Sequence, residues 1–140
     1  MKKAVPLILR SLRIWLCFVP VAVLNGGLRE YVWDRILGAQ WALPVSGIVL
    51  SGCIFLITWF LLPRMGKTCT SGDCRMMGIF WFSLTVVFEF VSGSMGGHTW
   101  GELLAAYDPS TGNLWLLVLA SALLSPAIVR AKRSDRFVSR

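Results

Sequence analysis

The chain has 140 residues, 56% of them hydrophobic, with a mean hydropathy of +0.67 and a formal net charge of +7. Soluble domains use about 45–50% apolar residues, and a soluble fold this short could not bury the excess, whereas a bilayer can. The positive charge does not indicate nucleic acid, because the basic residues stand at the ends of apolar runs and no basic face alternates with stacking aromatics.

Residues 1–28 form the first apolar run, with a span expected over about 8–28. Arg10 and Arg13 stand one turn apart near its start, where they can carry their charges to the headgroups while their stems stay in lipid. They interrupt the apolar core and no small-x-small cleavage site follows, so a retained span is expected rather than a cleaved signal peptide. Residues 29–40 read as a short mixed-charge loop, with Tyr31 and Trp33 suited to the membrane interface. The second span, 41–63, opens on Trp41 and closes on Pro63, and Gly47 and Ser51 form a small-xxx-small pair that admits a neighbouring helix. A polar, basic loop is expected over 64–75.

The third span, 76–97, ends with Gly93 and Gly97 in GxxxG spacing, a second close-packing face. Beyond it, Thr99 and Glu102 have the spacing of a capping box. Trp100, Leu103, Leu104 and Tyr107 then form one apolar stripe, and Asp108-Pro109 and Gly112 end it. This predicts a short helix lying on the membrane surface. The fourth span is 113–130, with Pro126 near its end, and the basic tail after it is expected to fray.

The expected fold is therefore all-α: a four-helix transmembrane bundle with one short interfacial helix outside, the whole chain forming a single integral membrane domain. Of its 14 Lys and Arg residues, all but Arg29 and Arg35 lie at the N-terminus, in the 64–75 loop or at the C-terminus. The positive-inside rule then puts both termini in the cytoplasm, with 29–40 and 98–112 outside.

Glu89 is the strongest functional pointer. Its nearest charged neighbours in sequence are Arg75 and Glu102, and an unpaired charge in hydrocarbon costs from about 3 kcal/mol upward. On a helical wheel it shares a face with Thr85, Ser92, Gly93 and Gly96. Ser46 and Ser51 on the second span and Ser121 on the fourth fall at similar depth, with Asn25 somewhat shallower. Arg29, one turn beyond Asn25, is the expected charge partner of Glu89. Glu30, His98 and Glu102 complete a candidate outer mouth. The plain alternative is a Glu–Arg pair that only fixes helix register, with His98 solvated and Glu30 and Glu102 serving as surface or capping residues.

Cys69 and Cys74 have C-x4-C spacing, but zinc ribbons need two such pairs, and the cytoplasmic side disfavours a disulfide. They are weak metal candidates at most. No P-loop, H-E-x-x-H, G-x-S-x-G or dinucleotide fingerprint occurs, so no cofactor is expected and an enzymatic role is disfavoured.

Asn25-Gly26-x-x-Arg29-Glu30, Phe88-Glu89-Phe90 with Gly93, Trp100-x-x-Leu103-Leu104-x-x-Tyr107, and later Trp115 and Pro126 together resemble a group of small uncharacterised bacterial four-span membrane proteins. The resemblance covers most of the chain. It implies fold and location and brings no activity. Three functions remain open: a small-solute or ion transport or channel subunit, a non-catalytic accessory or assembly protein, and an outer-face enzyme acting on lipid headgroups. The expected partners are the bilayer and, through the small-residue faces, a second copy or another membrane protein.

Overall fold

The computed structural model describes residues 4–65 and 69–138. Lys2, Lys3, Lys67 and Arg140, counted above in the charge bias, lie outside the described residues. The elements are α1 (Ala4–Leu28), a π-helical turn (Arg29–Trp33), α2 (Asp34–Leu37), α3 (Ala39–Leu61), α4 (Ser71–Met95), α5 (Trp100–Ala105) and α6 (Trp115–Val138), with short 3-10 turns at Leu62–Met65 and Pro109–Thr111. No strand occurs among the described residues. Four helical stretches are long and apolar enough to cross a membrane: Val5–Leu37, Ala39–Met65, Ser71–Met95 and Trp115–Arg136. The protein is an all-α four-helix bundle of the multi-pass membrane type.

Three boundaries depart from expectation, each for a local reason. The stretch 29–40 is helical as far as Leu37. It contains no helix breaker before Gly38, whose φ of 81° marks the break before α3. The start of α4 falls at Ser71 because Thr70 and Asp73 form a reciprocal capping box: Thr70 N–H donates to Asp73 at 2.8 Å and Asp73 N–H to Thr70 at 3.2 Å. The basic tail is helical to Val138 rather than frayed. Its arginines are anchored, with Arg130 Nε donating to the Cys69 carbonyl at 3.1 Å and an Arg133 nitrogen to the Trp59 carbonyl at 2.8 Å. The guanidinium of Arg133 also lies 4.8 Å from the Trp59 ring centre.

The four long helices form a ring. α6 packs closely on both α3 and α4, α1 packs on α3, and the α1–α4 seam that closes the ring is the sparsest. The core along the ring axis is built from Ile14, Phe18, Leu50, Ile54, Trp81 and Val118. Phe18 and Trp81 meet edge to face at 5.1 Å. Trp81 is fully buried and its indole N–H donates to the Ser11 carbonyl at 3.0 Å. A smaller cluster of Leu62, Cys74, Met77 and Val129 fills the basic end.

Small residues set the closest approaches. A Cβ at Gly78 would overlap the Leu123 carbonyl, so this glycine lets α4 and α6 touch backbone to backbone. Gly47 fits against Leu114, where an added Cβ would come within 2.8 Å of the Leu114 side chain. The two glycines at the far end of α4 do not form one face. Gly93 receives Leu103 of α5, whereas Gly97 lies past the helix end with φ of 82° and nothing near it. It is a turn residue.

Candidate functional site

At the end of the bundle where α1 passes into its π-helical turn, a cavity of about 230 Å³ opens between α1, α3, α4 and α6. α1 and the turn supply Asn25 and Arg29, α3 supplies Ser46, α4 supplies Glu89 and Ser92, and the start of α6 supplies Asn113 and Trp115. A π-helical turn inserts an extra residue into the hydrogen-bond ladder and re-aims side chains, a device frequent at functional sites. Here it begins at Arg29.

Glu89 is not paired with Arg29. Its carboxylate accepts the Tyr107 hydroxyl at 2.7 Å, and among the described residues the ion pair is His98 with Glu102, at 3.8 Å on the exposed side of α5. The expected Glu89–Arg29 bridge is thus corrected. The two charges face a common cavity, and Tyr107 occupies the place in the carboxylate's shell that sequence reasoning gave to arginine. Tyr107 gets there because α5 folds back on α4: Leu103 is buried against Gly93, and the Tyr107 ring stacks on Phe90 at 6.0 Å. Burial, and then its bond to Glu89, push the Tyr107 phenol above its usual pKa. The Trp115 indole N–H is aimed at the same carboxylate but falls short of hydrogen-bond geometry and has no partner.

Asn25 is buried. Its amide nitrogen donates to the Ser46 hydroxyl at 2.7 Å and to the Ser46 carbonyl at 3.2 Å. Its amide oxygen has no partner. Buried polar atoms are nearly always hydrogen-bonded, so an unpartnered acceptor and an unpartnered donor beside one cavity are informative.

The other sequence candidates fall elsewhere. Thr85 lies deeper and accepts the Trp15 indole N–H at 3.0 Å. Ser51 and Ser121 turn back to carbonyls of their own helices, Gly47 and Leu117, each at 2.8 Å. Ser92 lines the cavity while its hydroxyl donates to the Phe88 carbonyl. Glu30 is exposed and does not line the cavity. His98 is exposed. Glu102 caps α5, and the Thr99 backbone N–H and hydroxyl hold its carboxyl below the usual range. Tyr107, Asn113 and Trp115 were missed as site residues. Tyr107 was visible as the last position of the α5 stripe, but only the fold-back of α5 reveals what it touches.

Beneath the polar cavity a smaller, mostly apolar pocket of about 50 Å³ continues into the bundle, sharing Ala22, Leu50, Phe88, Trp115 and Val118 with it and adding Trp15, Phe18, Val19, Ile54 and the candidate Thr85. At the opposite end, Cys69 and Cys74 bring their sulfurs to 3.4 Å. No group of three or more His, Cys, Asp or Glu able to hold a metal occurs among the described residues. No protein family matches this chain, and no curated protein or solved structure is significantly similar to it.

Proposed function

We propose that this chain binds and moves a small polar solute or ion across a bacterial inner membrane, with Glu89 as its charge-responsive group. The observation that carries the reading is the pair of opposite charges, Glu89 and Arg29, lining one cavity without bonding each other. A carboxylate at membrane depth with no ion-pair partner is costly, and a fold needing only a register pin would close it into a bridge with the nearby arginine. Held apart, they are available to a ligand.

The apolar core beneath the cavity acts as the closed gate, and the sparse α1–α4 seam is where the bundle would open. The basic end, with Arg10, Arg13, Arg64, Arg130 and Arg133, faces the cytoplasm by the positive-inside rule, so the cavity opens to the outer side.

The test is proton flux in vesicles containing the purified chain and an internal pH-sensitive dye, under an imposed potential. The wild-type flux varies with external pH, and Glu89→Gln removes that variation while the protein remains folded. An unchanged pH profile in Glu89→Gln overturns the proposal, as does the absence of flux from the wild-type chain both in this assay and with small polar solutes supplied outside.

A further inference from the structure

Resting on that reading, we propose that the cavity takes an α-amino acid with an apolar side chain: its ammonium at Glu89, its carboxylate at Arg29, and its side chain in the apolar pocket beneath.

The order of chemistry along the seam carries the inference. Deepest is the apolar pocket, walled by Trp15, Phe18 and Val19 of α1 and by Phe88 of α4. Next comes an acceptor, the Glu89 carboxylate. Outermost on the same wall of α1, one turn beyond Asn25, is the Arg29 guanidinium. A ligand that satisfies all three carries an apolar group, then N–H donors with positive charge, then an anionic oxygen acid able to meet a guanidinium in bidentate fashion. An apolar amino acid has these groups on one carbon.

The size agrees. A cavity of about 230 Å³ is many times the roughly 10–15 Å³ that one bound water needs on the same measure. The pocket of about 50 Å³ below suits a short side chain and not an acyl tail. Headgroup order argues the same way. An ethanolamine phospholipid presents chain, phosphate and ammonium in sequence, which would set its phosphate against Glu89. A quaternary ammonium offers no N–H to the Glu89 carboxylate.

The test uses the full-length chain in nanodiscs of choline phospholipid and measures calorimetric binding of L-leucine, isopentylamine (leucine without its carboxyl) and N-acetyl-L-leucine (leucine without its ammonium). Leucine is expected to bind at least about tenfold more tightly than either analogue, the size of one lost charge-assisted hydrogen bond. Arg29→Gln should erase the preference over isopentylamine alone, and Glu89→Gln the preference over N-acetyl-leucine alone. Each variant thereby serves as the folding control for the other. Equal binding of the three ligands by the wild-type chain, no leucine binding, or displacement of leucine by ethanolamine phospholipid in the disc overturns the inference. Because the proton-flux measurement uses no amino acid, a flux that depends on Glu89 without leucine binding would sink this assignment and leave the transport reading standing.

Discussion

The two ends of the bundle are both polar, yet they offer different charges to their cavities: arginines without a carboxylate at the basic end, a carboxylate together with an arginine at the other. Toward the basic end most polar groups find partners within the protein, although Arg133 Nε has none. Trp81 donates to Ser11, Thr58 and Ser125 hydroxyls meet at 3.2 Å, and Arg130 and Arg133 donate to loop and helix carbonyls. At the cavity end, Asn25 and Trp115 each keep one unpartnered polar atom, and Glu89 and Arg29 share a cavity without touching. The first pattern is what a membrane helix bundle needs to hold together, since unsatisfied groups are costly away from water. The second has no structural reward, and a cavity beside it supplies a reason. Opposite charges held apart across one space mark the site.

That contrast can be broken most severely at Gly78. Gly78→Leu drives a side chain into the Leu123 backbone carbonyl, which cannot step aside. It is expected to cost about 3 kcal/mol or more, read as loss of monodisperse protein on gel filtration, and to destroy both ends together. Next is Trp81→Phe, which removes the indole bond to the Ser11 carbonyl and leaves that carbonyl only its helical partner. A loss of about 1.5 kcal/mol is expected from the bond, measured by thermal unfolding in detergent, with the pH profile of flux intact. A changed profile would mean that the two ends are coupled and the division between scaffold and site is false.

Tyr107→Phe sharpens the comparison from the other side. It removes the 2.7 Å bond to Glu89 and is expected to cost about 1 kcal/mol, because the pair is only partly buried. It should also shift the flux profile. The wild-type chain carries an alkaline signature as well. Its folded phenol keeps its proton when the unfolded phenol, with a pKa of about 10, has lost it. The unfolded state then binds fewer protons, so stability falls as pH rises through 10. Unfolding midpoints measured at pH 9 and 11 should show this drop in the wild type and a smaller one in Tyr107→Phe. Equal drops would remove Tyr107 from the site.

Much of this was legible in the chain itself. The four spans follow from runs of apolar residues long enough to cross a bilayer, and the α5 cap from Thr99 and Glu102. Helical periodicity put Glu89 and Ser92 on one face, and depth counting brought Asn25 and Arg29 to their level. Depth and face are properties of a single helix, so sequence can supply them. The same reasoning admitted Ser51 and Ser121, which share depth but bond within the scaffold, because a hydroxyl's choice between a carbonyl four residues back and a cavity is invisible in a one-dimensional pattern.

The sequence by itself determined that the chain is a bundle of four apolar helices, which end carries the positive charge, and that one carboxylate stands far from any other charge in sequence. Only the tertiary structure decided what that carboxylate meets. Helix rotation, the re-aiming π-turn at Arg29 and the fold-back of α5 together put Tyr107, and not Arg29, on Glu89. The physical reason is that hydropathy is summed residue by residue, whereas a hydrogen bond depends on where two separate segments of backbone come to rest.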